Sequence, residues 1–272
     1  MPFASSDRWL LALLCFVFSA AASSQSPSQA AVGQQCSRTK LIDFAFSRAG
    51  DDPRTIPIWQ LPSNPALFFT AGMAIDADGA PNAYNPQDTG IDDLENAGEP
   101  GNWTALAKDD NGEPLIQGPN DPYPGYYIST TALTDHTKPP NDPSKYVDAS
   151  KIPYIVLPVG ANRQFGARPG DFAFVANLRN GKSSFAIFAD VGPSDAIGEG
   201  SIALAENLGV RSSPRRGGVR DGILYVVFAG SGNRQPRTMD EINSEGARLL
   251  REIGGFERLQ ACTGTASAPE QR

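Results

Sequence analysis

Apolar residues in this chain come in short runs, and turns containing glycine or proline separate one run from the next. The runs are rich in β-branched and aromatic residues, as is typical of β-strands. They cover residues 67–75, 126–130, 154–158, 172–176, 184–189, 202–205 and 223–228. Strands that recur at such intervals predict a closed or nearly closed β-barrel.

One segment near the C-terminus has helical periodicity instead. Within residues 239–258, Ile242, Leu250 and Ile253 fall on one face of a helix, which predicts a C-terminal helix packed on the barrel. Residues 80–124, by contrast, are rich in Asn, Asp, Gly and Pro. An irregular stretch of that length in a compact domain is more often functional than idle. The predicted fold class is therefore mainly β, with a few helices and long irregular loops.

The N-terminus has the pattern of an export signal. Residues 9–18 are strongly apolar, Arg8 precedes them, and alanines at 20–22 suit cleavage, so residues 1–22 are interpreted as a secretory signal peptide. The run is shorter than the roughly 20 residues of a membrane helix, and we expect no membrane association after cleavage. A lipoprotein signal at Cys15 is disfavoured because the residue before it is not small.

The rest of the chain divides by composition. Residues 23–35 are rich in Ser, Gln and Ala and predict a disordered linker, and residues 263–272 predict a polar disordered tail. The intervening residues 36–262 are long enough for one domain with its own core. Nothing in the sequence demands an oligomer, and we expect a secreted monomer.

Two cysteines, Cys36 and Cys262, remain after signal cleavage. In an oxidising compartment a single disulfide between them is the economical interpretation, and closing so long a loop contributes on the order of 4 kcal/mol in the chain-entropy model. Two unpaired thiols are the alternative. His136 is the sole histidine and no further cysteine lies near by, so no metal or cofactor is predicted.

Two acidic residues, Asp190 and Glu199, lie nine positions apart with an apolar run on either side. The glycines and the proline between them let the chain turn back and bring both acids to one end of a small sheet. A pair of carboxylates held in this way suits acid/base chemistry on a sugar. The alternative is a turn whose acids cap main-chain amides.

The segment FADVGPSDAIGEGSIALA around these acids resembles the signature of glycoside hydrolase family 75 chitosanases. GMAIDADGAPNAYNP is similar to the family's Asp-rich region, although Ala74 replaces its first acid, and KIPYIVLP matches an Ile-Pro-Tyr pattern. The resemblance extends from about residue 67 to residue 228, and the YISTTALTD stretch is more similar to bacterial-type members. It implies that residues 36–262 form a single catalytic domain.

The resemblance also implies a mechanism and a polysaccharide partner. Asp190 and Glu199 would be the essential carboxylates of an inverting endo-chitosanase acting on β-1,4 glucosamine linkages. Inversion needs one carboxylic acid to protonate the leaving oxygen and one carboxylate to activate water. Here Glu199 is assigned as the general acid and Asp190 as the general base.

Chitosan is a polycation, so an acidic cleft is its expected complement. The chain carries 30 acidic and 23 basic residues, a formal net charge of −7, which agrees with such a substrate and disfavours nucleic acid. Asp76 and Asp78, then Asp92 and Asp93, are the candidate ammonium-binding residues. For Asp76 and Asp78, a Ca²⁺ site or a purely turn-forming role is the alternative.

Sugar rings also stack on aromatic side chains, and the irregular region supplies several. Trp103 and Tyr126 are the preferred substrate-binding candidates, although aromatic residues in such loops are often core anchors. The region's aromatic residues are Tyr84, Trp103, Tyr123, Tyr126 and Tyr127.

Two other functions stay open at this point. The same sequence pattern, an acid followed by a small loop and a glycine, is similar to the pattern in the double-psi six-stranded β-barrels of endoglucanases, expansins and lytic transglycosylases. A likeness of fold does not fix function. The chain could thus be an enzyme on another glycan, such as peptidoglycan or cellulose, or a non-catalytic glycan-binding barrel.

Overall fold

The computed structural model describes residues 36–48, 50–62 and 64–263. The predicted signal peptide (1–22), the linker (23–35) and all but the first residue of the predicted tail (263–272) lie outside the described residues. Within the described part, none of the helices has the length and apolar character needed to cross a membrane.

Strands dominate the described part of the chain. They are β1 (Thr39–Phe46), β2 (Arg54–Gln60), β3 (Ala66–Asp76), β4 (Gly98–Glu99), β5 (Asn102–Trp103), β6 (Tyr154–Pro158), β7 (Phe172–Asn177), β8 (Ser183–Gly192), β9 (Glu199–Ser201) and β10 (Val219–Phe228). The α-helices are short: α1 (Ala161–Phe165), α2 (Ile202–Asn207), α3 (Met239–Glu252) and α4 (Gly255–Thr263). Two 3₁₀ turns, Leu94–Ala97 and Pro143–Lys145, lie in the irregular regions.

Six strands close into a barrel in the order β3, β10, β7, β8, β6, β9, and β9 pairs back with β3. The pairs β3–β9 and β6–β8 are parallel, and the other barrel pairs are antiparallel. Strands β1 and β2 form a hairpin that extends the sheet from β3. The predicted mainly β fold with a six-stranded barrel is confirmed.

Both faces of the barrel strands are buried. In β10, Tyr225 and Val227 belong to a cluster that fills the interior, whereas Leu224 and Val226 belong to a second cluster outside the barrel. The inner cluster contains the stacked rings of Phe69 and Tyr225, with centroids 4.9 Å apart. Residues of α3 and α4 complete the outer cluster. Burial on two faces explains why these strands form near-continuous apolar runs in the sequence.

The predicted C-terminal helix is present, but it is divided in two. It begins with a capping box, in which Thr238 accepts from the main-chain N–H of Glu241 and the Glu241 carboxylate accepts in return. Helix α3 ends at Glu252, and Gly254 and Gly255 follow with φ of 91° and 82°. Left-handed glycines of this kind end a helix, so α4 starts a new one.

Two of the predicted strands are wrong. Residues 202–205 lie in α2, which Ser201 caps by accepting a hydrogen bond from the main-chain N–H of Leu204 at 3.1 Å. Residues 126–130 form only isolated bridges, through Tyr127 and Ser129. A short apolar run cannot be told from a buried helical turn by its pattern alone.

The predicted disulfide is present and joins Cys36 to Cys262, with Cα atoms 5.0 Å apart. Cys36 lies just before β1, and Cys262 is buried in α4 against the outer cluster. The bond therefore ties the beginning of the sheet to the C-terminal helix.

Candidate active site

A β-bulge determines which way Asp190 points. Ile155 of β6 pairs with Phe188 of β8, but the next residue, Val156, pairs with Asp190, so Ala189 is an extra residue in β8. Without the bulge, strand alternation would place Asp190 in the barrel interior with Phe188. With it, the carboxylate faces outward, where its Oδ1 accepts a hydrogen bond from the N–H of Ala132 at 2.7 Å.

Glu199 is the first residue of β9. Gly198 precedes it with φ of 88°, and its carbonyl accepts a hydrogen bond from the N–H of Ala74 at 3.0 Å. Arg48, beyond the end of β1, places Nη2 3.6 Å from Oε2 of Glu199 and 3.3 Å from the Gly198 carbonyl oxygen. An arginine at this distance favours the charged form of the glutamate.

Val156 lies between the two acids, because it pairs with Asp190 on one side and with Glu199 on the other. Paired residues of neighbouring strands share a face of the sheet. Two strand spacings place the Cα atoms of the acids about 9.5 Å apart. The Glu199 side chain reaches over β6 towards β8, since its Oε2 lies 3.8 Å from an ideal Cβ position on Gly192.

Asp76 and Asp78 join Asp190 in one cluster. Asp76 ends β3, and its Oδ1 accepts a hydrogen bond from the N–H of Asp78 at 2.8 Å. Carboxylate oxygens of these three aspartates lie within 4.8 Å of one another. In the described part of the chain, no basic side chain forms an ion pair with any of the three.

The pKa values of these acids are raised, chiefly by burial. Burial and the charges of Asp190 and Glu199 raise the pKa of Asp76 well above its ordinary value. Burial and the charges of Asp76 and Asp190 do the same for the pKa of Asp78. Burial raises the pKa of Asp190 to about 7, although the Ala132 N–H opposes the shift. Burial also raises the pKa of Glu199, and Arg48 opposes it.

Two buried tyrosines hold the cluster. The hydroxyl of Tyr84 lies 2.8 Å from Oδ1 of Asp78 and 3.1 Å from Oδ2 of Asp92. The hydroxyl of Tyr154 donates to the main-chain carbonyl of Asp78 at 2.9 Å. The sequence indicated Tyr84 only as one of several loop aromatics and Tyr154 only as part of a strand. Their partners could not be seen from spacing.

Asp92 and Asp93 already have protein partners. Asp92 is 4% exposed and accepts hydrogen bonds from Tyr84, from the Asp93 N–H and from Asn96. Asp93 forms an ion pair with Arg215. Asp92 is therefore closed to an ammonium group, whereas the Asp93 side chain is 38% exposed beside its arginine partner.

The two aromatic candidates differ in their exposure. Trp103 is 8% exposed and packs in the outer cluster, with its ring centroid 6.2 Å from that of Tyr127. A buried ring of this kind offers little surface to a sugar. Tyr126 is half-buried and makes an edge contact with Tyr123, which is 41% exposed. Tyr126 thus remains the more accessible of the two candidates.

The three clustered aspartates are also candidates for the Ca²⁺ site that the sequence left open as an alternative. Carboxylate oxygens are the ligands that hard cations such as Ca²⁺ take, and Asp76, Asp78 and Asp190 have oxygens close enough together to share one ion. The same oxygens accept hydrogen bonds from Tyr84, Ala132 and the Asp78 N–H. The chemistry below is derived from these protein groups.

A family model described as fungal chitosanase of glycosyl hydrolase group 75 matches residues 73–254 of the chain. This range contains Asp76, Asp78, Asp190 and Glu199. No curated protein matches the chain at a significant level. Because the matched range is well over half of the 272 residues, the chain belongs to glycosyl hydrolase group 75, the chitosanase family that its motifs resemble.

Proposed function

We propose that the protein is a secreted endo-chitosanase that hydrolyses β-1,4 glucosamine linkages with inversion, using Asp190 and Glu199 as its acid/base pair. The observation that carries the proposal is the position of the two acids on either side of Val156, on one face of the sheet. Inverting carboxyl pairs lie roughly 6.5–9.5 Å apart to leave room for water, and retaining pairs only about 5–5.5 Å. We assign the pair to the first class because two strand spacings separate the Cα atoms of the acids.

The surroundings of the acids favour Asp190 as the general acid and Glu199 as the general base. Chitosan is protonated in mildly acidic solution, and a carboxyl whose pKa is about 7 keeps its proton there. Burial raises the pKa of Glu199 as well, but the neighbouring Arg48 opposes that rise and favours the ionised form. A cation beside one acid of a pair and none beside the other distinguishes their roles. This assignment is opposite to the one made from the sequence, where neither Arg48 nor the burial of Asp190 was visible.

In this mechanism the Asp190 proton passes to the glycosidic oxygen as the C–O bond breaks. Glu199 removes a proton from the water that attacks the anomeric carbon from the other face of the sugar. The Ala132 N–H at Oδ1 places the transferable proton on Oδ2 of Asp190 and then stabilises the carboxylate that forms. Both carboxyls exchange protons with solvent before the next cycle.

Several features of the proposal come from sequence and family alone. Export rests on the N-terminal pattern and on the disulfide between Cys36 and Cys262, which suits an oxidising compartment. The bacterial-type assignment, the single catalytic domain over residues 36–262 and the monomeric state likewise stay predictions. The substrate-binding roles of Asp76, Asp78, Trp103 and Tyr126 also stay predictions.

Substitution of the two acids by their amides tests the proposal. D190N and E199Q are each expected to lower the release of reducing ends from chitosan by at least about 100-fold, with the fold intact by circular dichroism. D110N is the control, because Asp110 is exposed and makes no hydrogen bond in the described part of the chain. Retained activity in both variants would contradict the mechanism. If the wild type degraded peptidoglycan or cellulose but not chitosan, that polymer would be the substrate in place of chitosan.

A substrate whose leaving group needs no proton separates the two roles. D190N is expected to turn over an aryl chitooligosaccharide with a dinitrophenolate leaving group at least about 100-fold faster than it turns over chitosan. E199Q is expected to stay inactive on both substrates, because water must still be activated. The reverse pattern would make Glu199 the acid.

A further inference from the structure

A cavity of about 400 Å³ lies next to Asp190. Ala132, whose N–H donates to the Asp190 carboxyl, and Val191, the next residue of β8, both line it. The rest of its wall comes from the end of β6, from α1 and from two loops. No residue of β9, the strand that carries Glu199, contributes to the wall. A cavity of this volume is large enough for a sugar unit.

The position of the cavity indicates which side of the cleaved bond it serves. The strand order β9, β6, β8 places Glu199, Val156 and Asp190 in a row. In an inverting displacement, water attacks the anomeric carbon opposite the departing oxygen. The direction from the general base to the general acid is therefore the direction from the anomeric carbon to the leaving group. Because the cavity borders only the Asp190 end of the row, it lies on the leaving-group side.

Part of the cavity wall is apolar and exposed. Val159 and Val191 are 52% and 38% exposed, respectively. They lie close together, because Val159 follows β6 and its N–H donates to the carbonyl of Gly192 in β8 at 3.0 Å. Exposed apolar side chains gathered in a cavity mark a binding surface. The methyl of an acetamido group can pack on such a surface, whereas a hydrated ammonium group cannot.

The charged part of the wall consists of Arg168 and Arg234. Both arginines are exposed, and in the described part of the chain neither forms an ion pair. No aspartate or glutamate lines the cavity, and Asp190 at its edge is neutral in the proposed mechanism. A guanidinium and an ammonium group are both cations that only donate hydrogen bonds, so they repel each other. The carbonyl oxygen of an acetamido group accepts from a guanidinium.

The main chain holds the two arginines on one frame. Asp171 is 1% exposed, and its carboxylate accepts from the N–H groups of Arg168 at 2.8 Å, Gly230 at 3.0 Å and Gly232 at 2.9 Å. These bonds tie the Arg168 segment to the loop that leads to Arg234. Arg234 itself has a left-handed φ of 63°. Strained main chain of this kind persists where the surroundings enforce it, and it is concentrated at functional sites.

We propose that this cavity binds the sugar unit on the leaving-group side of the cleaved bond and selects N-acetylglucosamine there over glucosamine. Arg168 and Arg234 are the specificity-determining residues, because they exclude the ammonium and donate to the acetyl carbonyl. Val159 and Val191 contact the acetyl methyl. The inference rests on the proposed function, since it takes Asp190 as the general acid of a chitosanase.

The units at the newly formed chain ends test the proposal. Partially acetylated chitosan is digested, and the products are sequenced by mass spectrometry. In wild-type digests, new non-reducing ends should contain N-acetylglucosamine more often than the whole polymer does. In R168E/R234E, carboxylates attract the ammonium, and the ratio of N-acetylglucosamine to glucosamine at these ends should fall about tenfold. R251E is the control, because Arg251 is exposed on α3 outside the cavity.

A gain of activity guards against misfolding of the double variant. R168E/R234E should have a higher kcat/KM than the wild type on fully deacetylated chitosan, which a damaged fold cannot produce. Equal end composition in the wild type and the double variant would mean that the arginines do not select. Enrichment of glucosamine at the new non-reducing ends of wild-type digests would make the cavity an ammonium site. Enrichment of N-acetylglucosamine at the new reducing ends alone would place it on the other side of the bond.

A binding measurement keeps the inference separate from the proposed function. The N-acetylglucosamine disaccharide should shift the NMR signals of the Val159 and Val191 methyls in the wild type at a concentration where the glucosamine disaccharide does not. R168E/R234E should reverse this order. The absence of a shift with the N-acetylated disaccharide would refute the inference. Retained chitosan turnover in D190N would contradict the proposed function instead, while the methyl signals still report on the cavity.

Discussion

The hydroxyl of Tyr84 joins the acidic cluster to the long irregular region. It lies between Asp78 and Asp92, and the tyrosine is only 2% exposed. The N–H of Asp93 and the side-chain amide of Asn96 donate to Oδ1 of Asp92. In the described part of the chain, Oδ2 of Asp92 has Tyr84 as its only donor. A single hydroxyl therefore supports acids on two segments.

Removal of this hydroxyl should destabilise the fold measurably. Y84F leaves a buried carboxylate oxygen without a donor, which costs about 1–3 kcal/mol in the free energy of unfolding. Y126F is the matched control, because the Tyr126 hydroxyl makes no hydrogen bond among the described residues, so its loss is expected to change the free energy of unfolding by no more than about 0.5 kcal/mol. Urea unfolding measures both. Equal stability of the two variants would contradict the role given to Tyr84.

Among the elements, β9 depends most on the turn before it. The strand has only three residues and carries Glu199 at its first position. Gly198 adopts φ of 88°, and an ideal Cβ there would lie 2.7 Å from the carbonyl oxygen of Gly72 and 2.8 Å from Cβ of Ala71. A side chain at this position would force β3 and β9 apart, and Glu199 would move with β9.

Two glycine variants separate backbone strain from crowding. G198A and G181A both place alanine at a left-handed φ, but nothing lies within 4 Å of an ideal Cβ on Gly181. G181A should cost only the left-handed strain, about 1–2 kcal/mol. G198A should cost clearly more and lower kcat at least tenfold, because the crowding displaces Glu199. Urea unfolding and chitosan turnover measure the two effects, and equal results for both variants would refute the crowding argument.

Burial on two faces is what made most of the barrel predictable from the sequence. Strands such as β7 and β10 form apolar runs that are not typical of loops. Asp190 and Glu199 were identified because the segment that joins these two acids is rich in turn-forming residues. The hairpin was missed because half or more of the positions of β1 are exposed. The bulge at Ala189 was invisible because it exists only in the pairing with β6. Arg48 could not be found because it lies 150 residues before the Gly198 it contacts.

Across the part of the molecule that the structure describes, the acids with shifted pKa values fall into two groups. Exposed ones accept hydrogen bonds that lower their pKa values, chiefly from the N–H of Glu113 for Asp109 and from the hydroxyl of Thr137 for Asp135. Buried ones, by contrast, have raised pKa values, as Asp190 illustrates at about 7. The two groups therefore affect the pH dependence of stability in opposite directions and in different ranges of pH.

Because the buried acids have raised pKa values, we expect the protein to lose stability as the pH rises from about 4 to 7. Below the ordinary aspartate pKa, Asp190 is protonated in both the folded and the unfolded chain. As the pH rises towards 7, the unfolded chain releases this proton and the folded chain keeps it, so unfolding becomes easier. Each such proton changes the free energy of unfolding by about 1.4 kcal/mol per pH unit. Asp76 and Asp78 act in the same direction.

Urea unfolding at pH 5, 6 and 7 therefore should give a falling stability for the wild type and a shallower fall for D190N, which has no carboxyl to titrate. D109N should follow the wild type, because an exposed acid with a lowered pKa is already ionised at pH 5 in both states. An identical slope in wild type and D190N would mean that Asp190 titrates as an ordinary surface carboxyl. Its assignment as the general acid would then lose its physical basis, since that role requires a proton held near neutral pH.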